Sequence, residues 1–248
     1  MQNISLQKIV RISFQWMVIC ALIGLFSGSA SALFLVALEW VTQIREYNNW
    51  IIWLLPLGGL LIGLVYHYYG ASVVKGNNLL LEEYENPQQP IPFKMAPLVL
   101  IGTLITHLVG GSAGREGTAV QMGGAIADQF SNWFKLDQND RKTILILGIS
   151  AGFASVFGTP LAGALFALEI VYFSKINLKS VLLSFAVAYA AYYTVELWQV
   201  THTHYSIPIL AELNGTNLLW TIGVGIIFGL AALLFSRSAH FWSHLFSK

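Results

Sequence analysis

The chain has 248 residues, of which 56% are hydrophobic and only 10% charged, whereas soluble domains carry about 25% charged residues. Its formal net charge of +1 offers no footprint for nucleic acid or acidic partners, and its single cysteine, Cys20, excludes an internal disulfide and a cysteine-built zinc site. Such a chain belongs in a lipid bilayer.

In chain order, the first apolar stretch covers about 12–43. A secretory signal core has only roughly 7–15 apolar residues, so this stretch is expected to remain as a membrane helix. Lys8 and Arg11 precede it and predict a cytoplasmic N-terminus, because basic residues flanking a first span stay inside. Runs at 50–69, 95–110, 143–157, 178–199 and 217–235 are the further expected spans, since about 20 apolar residues cross the hydrocarbon. The connection 75–94, with Lys75, Glu82, Glu83, Glu85, Pro87, Pro90 and Pro92, predicts a short polar helix and then an interfacial loop. The connection 200–216, with His202, His204, Pro208, Asn214 and Gly215, predicts a second, exposed loop.

Two apolar stretches are too short to cross alone. One, 117–130, opens after Arg115-Glu116 and closes near Asp128; the other, 159–173, opens on Thr159-Pro160, with proline where a first helical turn tolerates it. They predict half-membrane helices. A helix that ends inside the bilayer must turn its free backbone groups toward protein or a cavity, and in transporters that cavity is the path. The expected fold is therefore an all-α, polytopic membrane protein of transporter or channel type. Trp16, Trp40, Trp50, Trp53, Trp198, Trp220 and Trp242 lie near the ends of apolar runs and predict an aromatic belt. The pairs Gly24/Gly28, Gly59/Gly63, Gly148/Gly152 and Gly225/Gly229 predict close helix packing.

The segment that carries chemistry is Gly110-Gly111-Ser112-Ala113-Gly114-Arg115-Glu116-Gly117-Thr118. Glycines directly before an apolar helix let the backbone approach a small ligand without side-chain obstruction. A helix start presents free N–H donors and about half a positive charge, which together bind an anion without a full cation. Glu116 sits among those donors, where an ionisable group is expensive and points to function. Ionised, it imitates the anion and blocks the path; protonated, it leaves and admits the substrate, so anion entry is tied to a proton. As a purely structural residue, Glu116 would be an ordinary first-turn acid.

Gly114-Arg115-Glu116-Gly117-Thr118, followed by Val120-Gln121-Met122-Gly123, resembles the signature of the CLC chloride channels and proton-coupled anion antiporters. Asp140-Arg141-Lys142, Ala151-Gly152 and the run from Thr159 to Glu169 resemble the two helices that follow in that family, and the likeness extends over most of 12–236. The resemblance implies the first inverted repeat of a CLC-type fold over 1–199, with 200–248 the loop and first helix of an incomplete second repeat. It makes Glu116 the external gate and proton-transfer group, and Gly114, Arg115 and Gly117 one wall of an anion site. It calls for no cofactor, no metal and no enzymatic activity, and for a homodimer in a full-length member.

Most of the family has a glycine-serine-glycine-isoleucine-proline loop at the facing helix start, where this chain reads Lys75-Gly76-Asn77-Asn78-Leu79. That departure, with Gly76 and Asn77 as anion-binding residues and threonine at 118, is similar to the fluoride-exporting branch. An asparagine amide can donate to a small hard anion where a hydroxyl is absent. Chloride/proton exchangers carry an inner glutamate one position beyond Glu169, and here that position is Ile170, so Glu169 is expected to be structural and paired near a helix end. The leading expectation is fluoride/proton antiport, with a chloride channel or chloride/proton exchanger as the alternative. The second half of the family fold is expected to be absent, which makes an inactive truncated fragment a further alternative.

Two other readings carry less. Gly110-x-Ser112-x-Gly114 matches a hydrolase pattern with His107 nearby, but that pattern needs a strand before the serine. His240 and His244 could offer two metal ligands on a helix but have no evident third, and His67 and His107 are expected as plain helix residues.

Overall fold

The computed structural model describes residues 6–171, 177–202, 212 and 214–246. His204 and Pro208 of the second connection lie outside the described residues. The chain divides into two compact units, Met1–His202 and Thr203–Lys248. The first unit holds helices α1 (Leu6–Tyr47), α2 (Leu55–Tyr69), α3 (Asn77–Glu85), α4 (Met95–Leu108), α5 (Arg115–Trp133), α6 (Gln138–Phe157), α7 (Pro160–Ile170) and α8 (Leu178–Leu197). The second holds α9 (Gly215–Phe246). No strand occurs among the described residues.

Helices α1, α8 and α9 reach membrane length as expected, while the 50–69 run divides into a short 3-10 turn, Asn49–Leu54, and α2, with Pro56 in its first turn. Two expected spans differ. With 14 residues, α4 is a short apolar helix of about 21 Å at 1.5 Å per residue. Helix α6 begins earlier than the apolar run because Asp137 caps it, accepting from the Asp140 amide at 2.8 Å. It is not a lipid-type span: Thr143 to Gly152 are buried on every side, so α6 is a central helix wrapped by protein.

Small residues allow that wrapping. A Cβ on Gly123 of α5 would collide with the Gly148 carbonyl of α6, and one on Gly152 with the Ala119 carbonyl, so α5 and α6 meet backbone to backbone. On the other side α1 meets α8, where a Cβ on Gly28 would stand 2.7 Å from the Ala191 carbonyl. Gly59 and Gly63, expected to pack in the same way, have nothing within 4 Å.

Trp40, Trp50, Trp53 and Trp198 are exposed near helix ends, but Trp16 departs from the expected belt. It is buried under the Lys179 ammonium, 3.8 Å from its ring centroid. His202 also departs from the expected exposed loop: its Nε2–H donates to the Ser155 carbonyl at 2.9 Å, and its ring covers Gly158, the left-handed end of α6.

Candidate anion site

Two helices, α3 and α5, begin without any side-chain cap, and each has glycine at the capping position. The starts of α8 and α6 are capped, Asn177 accepting from the Ser180 amide and Asp137 from the Asp140 amide. The starts of α2, α4 and α7 lack a side-chain cap too, α2 and α7 with a proline in the first turn, which has no N–H to leave free. The first-turn amides of α5 are therefore open to a ligand, whereas at α3 the Gly76, Asn78 and Leu79 amides donate to the Val73, Lys75 and Gly76 carbonyls, which leaves that start to contribute chiefly through Asn77.

At α5 the occupant is the protein's own carboxylate. Glu116 folds back over Gly114, where a Cβ would stand 2.6 Å from Glu116 Oε2. Only glycine at 114 leaves room for this rotamer. Glu116, Arg115 and Gly114 are exposed, and Arg115 makes no ion pair among the described residues.

The loop that presents these amides is held by three side chains. His107 Nε2–H donates to the Ala113 carbonyl at 3.0 Å, which fixes the tautomer. Thr118 donates to the Gly114 carbonyl at 3.3 Å, and its hydroxyl pairs with that of Thr103 at 2.7 Å. Because a trans peptide points its C=O and N–H in opposite directions, tying the Ala113 carbonyl to His107 also aims the Gly114 amide. Gly110, at φ 81, makes the preceding turn, with the Arg45 guanidinium lying against it.

Gly76 and Asn77 come to the same place from α3. Gly76 adopts φ 57 and ψ −129, a conformation for glycine alone. A Cβ on Gly117 would lie 3.7 Å from Asn77 Nδ2 and 3.8 Å from Gln121 Nε2. The structure thus joins the predicted Gly76, Asn77 and Gly117, and adds Gln121, whose place depends on how α3 packs against α5.

A buried clasp sets that packing at the other ends of the two helices. Arg141 of α6 donates to both carboxylate oxygens of Asp128 at 2.8 Å, to Glu83 of α3 at 2.9 Å and to the Gln89 carbonyl at 2.6 Å. Asp128 is fully buried and also accepts from the Ile91 amide at 2.7 Å and Ser131 at 2.9 Å. The expected interfacial loop 86–94 is therefore pinned to the bundle rather than lying free.

The family profile of voltage gated chloride channels matches residues 58–248. The chain belongs to this family. It is 47% identical over 226 residues to the chloride/fluoride channel protein of Pseudomonas syringae pv. tomato, an alignment covering 91% of this chain and 50% of that protein. To the H(+)/Cl(-) exchange transporter ClcA of Cronobacter sakazakii it is 29% identical, over 89% of this chain and 50% of the relative. Among solved structures, a CLC-type fluoride/proton antiporter superposes with a TM-score of 0.83 at 30% identity, covering 92% of this chain and 57% of the other. A slow cyanobacterial Cl-/H+ antiporter shares the fold, with a TM-score of 0.75 at 24% identity. The chain spans about half the length of the curated relatives it matches.

Other candidates in this CLC chain fall away from the site. Glu169 ends α7 exposed and, against expectation, without an ion pair among the described residues. Ser112 follows the helix α4 rather than a strand, and His107 engages the backbone, so the hydrolase context is absent. Among the described residues no group of three or more His, Cys, Asp or Glu could hold a metal ion.

Proposed function

We propose that this chain forms one wall of a halide transporter of the cell membrane, carrying out fluoride/proton antiport in which Glu116 is both gate and proton carrier. The observation that carries the reading is the Glu116 carboxylate folded over Gly114 at an uncapped helix start, where a free anion would otherwise sit. Ionised, the carboxylate competes with halide for the amides; protonated, it gives them up. Gly114, Arg115 and Gly117 supply one set of donors and Asn77 the other, with Gly76 bordering the site without a side chain. The name of the similar antiporter structure and that of the Pseudomonas relative favour fluoride among the halides.

The second wall is placed outside the described residues, in a C-terminal repeat, because Glu116 and Arg115 are exposed here and the curated relatives are about twice as long. On this reading 1–199 is the first repeat, 200–248 opens the second, and the full-length assembly is a homodimer. The N-terminus is cytoplasmic: Lys142 and Lys179 lie at the Trp16 end of the bundle, bonded to Glu85 and Asp140, as basic residues inside the membrane boundary should.

The test is a flux assay in liposomes containing the chain. An imposed fluoride gradient should drive proton movement, followed with a pH dye, and Glu116→Ala should abolish the proton movement. Fluoride flux without protons in the unaltered chain would replace antiport with channel activity. Flux indifferent to Glu116→Ala would remove the gate.

A further inference from the structure

We propose that Gln121 is a specificity-determining residue of the anion site, its side-chain amide donating together with that of Asn77 to the small anion held beside Gly117. This rests on the halide-transport reading above. The notable feature is that two carboxamides converge on a space bounded by two glycines and make no hydrogen bonds there. Gln121 Nε2 is 3.2 Å from where a Cβ of Gly76 would be, and both it and Asn77 Nδ2 are within 3.8 Å of where a Cβ of Gly117 would be. Asn77 Oδ1, an acceptor, is buried with no hydrogen-bond partner, so the donors offered to an anion are those of Nδ2.

Gln129 shows what a glutamine on this helix does when its role is structural. Two turns further along α5, its amide nitrogen is satisfied by the Ile91 carbonyl at 2.9 Å and the Ala125 carbonyl at 2.8 Å. Gln121 makes no such bond among the described residues, although carbonyls one turn back are equally available to it. Half-buried and without a protein partner, the Gln121 Nε2 donors stay available to a ligand. A carboxamide offers two N–H donors without net charge, so it compensates the lost hydration of a small anion without forming an ion pair that would slow its release.

If Gln121 merely packs against Gly76, a side chain of equal length without donors should serve as well. Gln121→Met and Gln121→Glu separate the two roles, with fluoride binding to the purified whole chain read by fluorine NMR line broadening and chloride binding by competition. Gln121→Met should weaken fluoride binding by about tenfold or more, the loss of one hydrogen bond to a charged partner. It should weaken chloride binding less and leave the unfolding midpoint unchanged. Gln121→Glu should abolish binding of both anions. Glu116→Gln, which removes the competing carboxylate, should strengthen both.

Unchanged affinities in Gln121→Met overturn the proposal, as does an equal loss for both anions accompanied by a lower unfolding midpoint. No binding of either anion by the unaltered chain overturns both the proposal and the site. A normal response to Gln121→Met with none to Glu116→Gln supports the proposal while overturning the gate.

Discussion

Replacing Arg141 with methionine should be among the most damaging single changes in the first unit, for a reason that can be worked through atom by atom. Methionine fills much of the same volume but supplies no donor. Asp128, fully buried, would keep only the Ile91 amide and the Ser131 hydroxyl, and would lose both of its guanidinium bonds. Glu83 would lose the one cation paired with it among the described residues, and the Gln89 carbonyl its donor. Breaking a buried pair from one side costs about 3–5 kcal/mol, because the stranded charge has no water to return to. Equilibrium unfolding of the detergent-solubilised chain should show that loss, and hydrogen exchange at the Ile91 amide should accelerate as the 86–94 loop comes away. Asp128→Leu combined with Arg141→Met should be less harmful than the sum of the two single changes, with a coupling of about 1–3 kcal/mol. A loss below about 1 kcal/mol in Arg141→Met, or strict additivity in the pair, would refute the idea that the clasp is a mutually dependent unit.

Two further outcomes follow from the packing and the loop. Gly152→Ala places a methyl group into the Ala119 carbonyl of α5 and should cost about 1–3 kcal/mol by unfolding, as overpacked cores do, whereas Gly63→Ala, in open space inside α2, should cost nothing and add up to about 1 kcal/mol of helix stability. His107→Leu removes the bond to the Ala113 carbonyl, worth about 1 kcal/mol. It should speed hydrogen exchange at the Gly114 amide while the α6 amides stay protected; equal protection before and after would mean that His107 does not aim that peptide.

Local signals pointed to part of the candidate site beforehand. The glycines of 110–117 and the acid among them announce an open helix start from a few consecutive residues, whereas Gly76-Asn77 stands out only through the family resemblance. The clasp gave no such sign. Arg141 stands next to Asp140 and Lys142 in an ordinary charged turn, while its partners lie 13, 52 and 58 residues away. Gln121 was visible only as a letter of the signature, since its role depends on the distance between two helices. Hydropathy misjudged α6 for a related reason: a helix buried in protein and one bathed in lipid have similar apolar content. Trp16 looked interfacial until Lys179, on a helix made much later, came to rest on its ring.

The packing of α1 against α6 and α8 has a consequence in time. The Trp198 indole donates to Ser29 across 169 positions, the Cys20 thiol to the Leu183 carbonyl across 163, and Ser155 to Ser31 across 124. At roughly 5–20 residues per second, a ribosome needs on the order of 10–30 s to supply the last of these partners after the first helix has been made. For that interval Gly24, Gly28 and the hydroxyls of Ser29 and Ser31 form an unfinished stripe in the bilayer. The helix that is synthesised first is completed among the last, and the stripe is where an insertion chaperone or a neighbouring nascent chain would find it.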